Sequence, residues 1–228
     1  MKLLPVLILI GAMGLIYFLG FDKYLTLDTL RDNRTALQSY VTTHTILSPL
    51  IYIAIYSAVV ALSLPGASLM SVAGGLLFGI IFGGFTAVIG ATIGASILFI
   101  VARMFLSEYI RDRAGGYLKR MEKGFGENAF SYLFFLRVVP AFPFWAVNLA
   151  AAVLNVPPVT FIVATLIGII PGTYVFVAFG AGLGDLIDAG KNVRVGDIFS
   201  TNLIIAFIGL GVLSLLPVVI KTLTRQKT

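Results

Sequence analysis

Apolar and charged positions are sorted along this chain into long blocks, not mixed at a helical or strand period. Residues 48–102 carry no charge, and residues 128–184 carry one, Arg137. Each block is too long for a single span of about 20 residues and slightly too short for three. Two crossings per block would put the flanking polar segments on one side of a membrane. Those segments differ in basic content: residues 22–47 hold Lys23, Arg31 and Arg34 against three aspartates, whereas residues 103–127 hold Arg103, Arg111, Arg113, Lys119, Arg120 and Lys123. Lys and Arg collect on the cytoplasmic side, so each block should cross once.

One arrangement meets both length and charge: a re-entrant hairpin with two legs of about 15 residues, then one full span. The predicted full spans are 2–21, 81–103, 158–183 and 200–220, with hairpins near 48–80 and 128–156. The predicted fold class is an all-α polytopic membrane protein with about four full spans plus two opposed re-entrant helical hairpins. Its domains are an N-terminal transmembrane helix (1–24), a membrane core (25–199), and a C-terminal transmembrane helix with a basic tail (200–228). Gly20-Phe21-Asp22 lacks a small-x-small cleavage pattern, so the first apolar run is read as a retained span. Leu27, Leu30, Leu37 and Val41 share a helical face, as do Phe105, Tyr109, Tyr117 and Met121. Both stretches are predicted to lie on the membrane surface.

The hairpin turns are marked by Leu64-Pro65-Gly66 and by Pro140-Ala141-Phe142-Pro143, where proline removes a donor and interrupts a helix. Gly90 and Gly94 follow Pro65 at the same spacing as Gly168 and Gly172 follow Pro143, an internal repeat offset by 78 residues. With one hairpin entering from outside and the other from inside, the repeats would be inverted about an axis in the membrane plane. The ladders Gly75-x3-Gly79-x3-Gly83, Gly90-x3-Gly94 and Gly168-x3-Gly172 read as helix-packing faces, separate from any site.

Composition sharpens the class. Hydrophobic residues make up 59% of the chain, charged ones 11%, and mean hydropathy is +1.02, too little polar surface for a soluble globule of 228 residues. The net charge of +6 sits mostly in connecting segments, without the interleaved aromatics of a nucleic-acid groove, so it is read as topology. Cysteine is absent, which excludes disulfides and thiolate chemistry.

Arg137 stands alone in its block, and insertion scales put its cost at about 2.5–3.5 kcal/mol. It must face protein or water. Asn148 adds an amide eleven residues on, and broken helices nearby leave backbone groups seeking partners. A guanidinium with five donors suits a phosphate or carboxylate, so Arg137 and Asn148 are the candidate substrate-binding residues. Pro65, Gly66, Pro140, Pro143, Pro171 and Gly172 are assigned to hairpin tips, structural or gating. The competing reading is that Arg137 caps carbonyls freed by the prolines or snorkels to headgroups. No carboxylate pair or metal-ligand cluster is visible in the blocks, and Ser63, Ser68 and Thr173 lack an identifiable base, so no enzyme, metal or cofactor is expected.

The run Arg137-Val-Val-Pro140-Ala-Phe-Pro143 with Asn148, then Pro171-Gly172-Thr173, after Leu64-Pro65-Gly66 and Gly74-Gly75-Leu-Leu-Phe78-Gly79, resembles the DedA superfamily. The closer likeness is to its VTT-domain, or SNARE-associated Golgi protein, branch. The resemblance covers about residues 25–185. It implies two opposed re-entrant hairpins and a role in moving lipids between leaflets: scrambling in eukaryotic relatives, recycling of undecaprenyl phosphate in bacterial ones. Arg137, Pro140, Pro143 and Asn148 match the second-hairpin motif. Two departures stand out. Many bacterial members carry an acid after the first Pro-Gly, where this chain has Ala67, and often a second arginine where it has Pro143.

The expected function is a membrane lipid translocase of scramblase or flippase type, moving phospholipid or polyprenyl-phosphate headgroups, with no cofactor. The alternatives are a secondary carrier for a small solute or anion, and a structural membrane protein. Expected partners are membrane lipids through their phosphate headgroups, with no nucleic acid and a homo-oligomer as a further option. The expected location is a prokaryotic cell membrane with both termini cytoplasmic.

Overall fold

The computed structural model describes residues 27–105, 128–138 and 142–188, together with Gly11. All regular structure among the described residues is α-helical. The elements are α1 (Leu27–Asp32), α2 (Arg34–Thr43), α3 (Leu47–Ala61), α4 (Ala67–Phe105), α5 (128–138), α6 (Phe144–Val153), α7 (Pro158–Gly168) and α8 (Ile170–Asp188). The terminal spans predicted at 2–21 and 200–220, and the basic segment after Phe105, lie outside the described residues.

Two stretches, Ala67–Phe105 and Pro158–Gly184, are long and apolar enough to cross a bilayer. A straight helix of the 39 residues in α4 would run about 58 Å, nearly twice the hydrocarbon thickness of about 30 Å. It is not straight. Gly79 takes φ 76 and ψ −177, a region open essentially to glycine. Beyond it the chain doubles back: a Cβ on Gly83 would overlap the carbonyl of Gly74, nine residues earlier. The segment before Gly79 measures about 18 Å and the segment after it about 39 Å. Helix α3, with 15 residues, reaches about 22 Å. Two short helices thus precede one helix of spanning length.

Helix α3 ends in a Schellman motif, with Ser63 left-handed at φ 53 and bonds from Ser63 N to Val60 O and from Leu64 N to Val59 O. Pro65 then prevents continuation, and Gly66 at φ 130 opens α4. Helix α6 ends the same way, with Asn155 at φ 55, bonds from Asn155 N to Ala152 O and Val156 N to Ala151 O, and Pro157 behind them. The second block thus repeats the order of the first: first leg α5, tip, second leg α6, positive-φ reversal, long helix.

Helix α4 is the centre, packed most extensively on α8 and α3 and then on α6 and α7. Bare backbone makes these approaches possible. A Cβ on Gly75 would overlap the carbonyl of Val177, and one on Gly180 would overlap the carbonyl of Val72, so α4 and α8 approach reciprocally. Gly94 presses on Ser57 and Val60 of α3. The buried aromatic pair Phe99 and Phe161, stacked at 4.2 Å, ties α4 to α7.

The 78-residue offset reappears in packing. Gly90 faces Tyr56 of its own first leg, and Gly168 faces Phe134 of its own. Two expectations need correcting. Gly79 is not a packing residue: nothing lies within 4 Å of where its Cβ would be, and its glycine is needed for backbone conformation. Pro171 and Gly172 are not at a hairpin tip; they lie in the first turn of α8, where Pro171, lacking an N–H, accompanies the break at Ile169. The stretch at 27–41 also packs on the core: Arg34 is buried and its Nη1 donates to the carbonyl of Gly184, while Leu30 packs on the hydrophobic cluster.

Candidate functional site

The α5 leg delivers Arg137 near its end, and the chain reverses through Phe142 and Pro143, the residue preceding α6. Pro140 lies outside the described residues. The reversal brings Asn148, one turn into α6, back alongside the arginine: Arg137 Nη2 donates to Asn148 Oδ1 at 2.5 Å. The two sequence-predicted binding residues are therefore in contact. Asn148 is fully buried and Arg137 is 9% exposed.

A third polar partner comes from α7. Thr165, also fully buried, accepts from Arg137 Nη2 at 3.0 Å and from Nε at 3.3 Å. Phe161, Thr165 and Gly168 share one helical face, and that face is the seat of the arginine. Its guanidinium lies 5.4 Å from the Phe161 ring, and a Cβ on Gly168 would crowd the Arg137 Cβ at 2.7 Å. Phe144 covers the other side, with its ring 4.3 Å from the guanidinium. Sequence reading missed Thr165 and treated Gly168 as helix packing only. The signal was present: Thr165 is the one hydroxyl in residues 161–172, at spacings of four and three from Phe161 and Gly168.

The capping role has a small share here. Nη1 reaches one backbone carbonyl, Phe144 O, at 3.5 Å, while the shorter bonds go to side chains. All these acceptors are neutral, and among the described residues no carboxylate pairs with Arg137. Asn148 Nδ2 is buried without a hydrogen-bond partner. The centre thus holds a charged group with five donor hydrogens and an amide with two, against few acceptors.

Arg137 also lines a cavity of about 450 Å³. Its walls come from both hairpins and from α8: Tyr56 and Ser71 on one side, Arg137 and Phe144 on the other, and Gly172 and Thr173 beneath. Tyr56 Oη and Ser71 Oγ are 2.8 Å apart, and Tyr56 also donates to Ala67 O. Pro65 and Gly66 are in the turn that brings this wall into place, and neither lines the cavity. The internal repeat locates the opening. Where Gly94 is closed off by Ser57 and Val60, its counterpart Gly172 has nothing within 4 Å of its Cβ position. No cluster of metal-ligating side chains occurs among the described residues.

Comparison with known proteins adds the following. Residues 64–182, more than half of the chain, match the VTT domain. Transmembrane protein 41B of Xenopus laevis is 29% identical over 180 residues, covering 77% of this chain and 62% of that protein. The Homo sapiens protein of the same name is 28% identical, covering 77% and 60%. Transmembrane protein 41 homolog of Dictyostelium discoideum is 32% identical over 172 residues, covering 73% and 49%. The chain thus spans about three fifths or less of the length of these relatives. No solved structure matches significantly.

Proposed function

The chain belongs to the VTT domain family of membrane proteins, and from that premise we propose that it is a lipid translocase that passes phosphate-bearing headgroups between leaflets through the Arg137 cavity. One observation carries the reading: a buried guanidinium with only neutral partners, beside a buried amide donor without any, opens on a cavity between two hairpins. Such a centre is rich in donors and positive charge and short of acceptors, and a phosphate oxygen supplies what it lacks. Desolvating a phosphate in apolar surroundings is costly unless a charge meets it, and Arg137 is that charge. The acyl chains stay in lipid, so the cavity needs to hold only the headgroup. The short legs ending in prolines are read as re-entrant hairpins. In this arrangement both termini and the segment around Lys119 are cytoplasmic, in a prokaryotic cell membrane. The protein acts without a cofactor and without covalent chemistry.

The resemblance to proteins that move lipids between leaflets supports the same reading. A carrier for a small free anion would use the same arginine, and the assay separates the two. Purified protein is reconstituted into liposomes, and leaflet exchange of acyl-labelled phospholipid is measured beside uptake of inorganic phosphate. Exchange without uptake is expected, and it should be lost in Arg137→Ala per folded molecule. Phosphate uptake without lipid exchange would replace the translocase with a carrier. Undiminished exchange in well-folded Arg137→Ala would remove the headgroup role.

A further inference from the structure

Resting on the translocase reading, we infer that the cavity selects headgroups that are net-negative and hydroxyl-bearing over those ending in an ammonium, with Thr173 as the hydroxyl-reading residue and Gly172 as the space that admits the group. Three features of the walls support this. The first is charge: among the described residues Arg137 is the one charged residue lining the cavity, so a phosphate meets an opposite charge there and an ammonium a like charge. A zwitterionic headgroup would have to bring its cation in beside the guanidinium with no carboxylate among the described lining residues to offset it, or hold it outside.

The second is the hydroxyl at the floor. Thr173 is only 8% exposed and lines the cavity, and its hydroxyl has no hydrogen-bond partner among the described residues. Thr86, by contrast, returns its hydroxyl to the carbonyls of Phe82 and Gly83. Ser68 and Ser71 bring further hydroxyls to the same space. Hydroxyls both donate and accept, so a glycerol-type headgroup can use both capacities, whereas an ammonium can use only their acceptor side.

The third feature is the break in the internal repeat. Gly94 has its bare face filled by the first leg of its own hairpin, yet Gly172 keeps that face empty beside Thr173. Glycine in a helix is destabilising by up to about 1 kcal/mol relative to alanine, and no close approach among the described residues requires one here. The space suits an occupant that is not protein.

The experiment uses acyl-labelled phosphatidylglycerol, phosphatidylethanolamine and phosphatidylcholine as trace probes in host liposomes of one composition, so surface charge is constant. Phosphatidylglycerol should exchange at least about tenfold faster than the two zwitterionic lipids. Thr173→Val keeps the side-chain shape and removes the hydroxyl; it should slow phosphatidylglycerol about fivefold, the worth of about one neutral hydrogen bond, and shrink the preference, with Thr173→Ser restoring it. Gly172→Leu should fill the cavity and slow phosphatidylglycerol with no fall in melting temperature. Equal rates for all three lipids, or an unchanged preference in Thr173→Val, would overturn the headgroup selection and leave the translocase standing. Absence of exchange for every lipid would overturn the translocase reading itself.

Discussion

The bond from Arg137 Nη2 to Asn148 Oδ1 is made to a neutral amide, and a single substitution can change that neutrality. Asn148→Asp would place a carboxylate on the guanidinium at nearly unchanged shape, replacing the unpartnered Nδ2 with an acceptor. Two roles for the arginine then predict opposite results. If it served as a latch joining α5, α6 and α7, the ion pair would strengthen the latch and leave exchange intact. As an anion site, it is occupied by its own carboxylate: melting temperature is expected to hold or rise while lipid exchange falls at least about tenfold. Thr165→Val makes the complementary test. It removes the acceptor of two Arg137 bonds without altering volume much, and hydrogen bonds between helices in membranes average about 0.6 kcal/mol. A melting-temperature drop of a few degrees is expected, with a larger proportional loss of exchange because the guanidinium is no longer held against Phe161. Arg137→Lys keeps a charge but not the fork that reaches Asn148 and Thr165 together, so partial exchange is the expected outcome.

At the scale of elements, three glycines with different surroundings predict loss of stability at two and none at the third. Gly75 is crowded by the Val177 backbone, so Gly75→Ala must push α4 and α8 apart, at about 1–3 kcal/mol. Gly79 has open space but a positive φ, so Gly79→Ala meets no neighbour and is still strained by about 1–3 kcal/mol. Gly172 has open space and no such backbone demand, and Gly172→Ala should hold or raise the melting temperature by the helix-propensity gain of up to about 1 kcal/mol. Thermal melting of the three variants in one detergent checks the order; a Gly79→Ala variant as stable as Gly172→Ala would remove the reversal from its role. Spacing alone had put Gly75, Gly79 and Gly83 on one packing ladder. A four-residue period describes an unbroken helix, and the helix is broken at the middle residue, so Gly83 meets Gly74 by folding back. The prolines were legible because a missing N–H acts locally. The left-handed turns at Ser63 and Asn155 were not, since neither residue is glycine and each is held by the helix end before it and the proline after it.

For the whole molecule, the prediction is sidedness. The chain has no cysteine, so single substitutions report without background. His44→Cys is expected to react with a membrane-impermeant thiol reagent added to intact cells, and Lys119→Cys only after the membrane is opened. Reaction of Lys119→Cys from outside would remove the odd number of crossings per block and the inverted arrangement with it. Sequence by itself determined residence in a membrane, the division into two apolar blocks, the helix breaks marked by Pro65 and Pro143, and Arg137 as the charge in need of a partner. These follow from properties that add up along a chain: hydropathy, charge and the missing donor of proline. Only the tertiary structure decided which groups answer that charge. Asn148 reaches Arg137 because the tip folds α6 back, and Thr165 because the seat on α7 is cleared by Gly168. Likewise Gly94 and Gly172 are equivalent in spacing, yet one is packed and the other faces a cavity. Contact between residues far apart in sequence depends on how whole helices are laid against each other, and no local pattern encodes that placement.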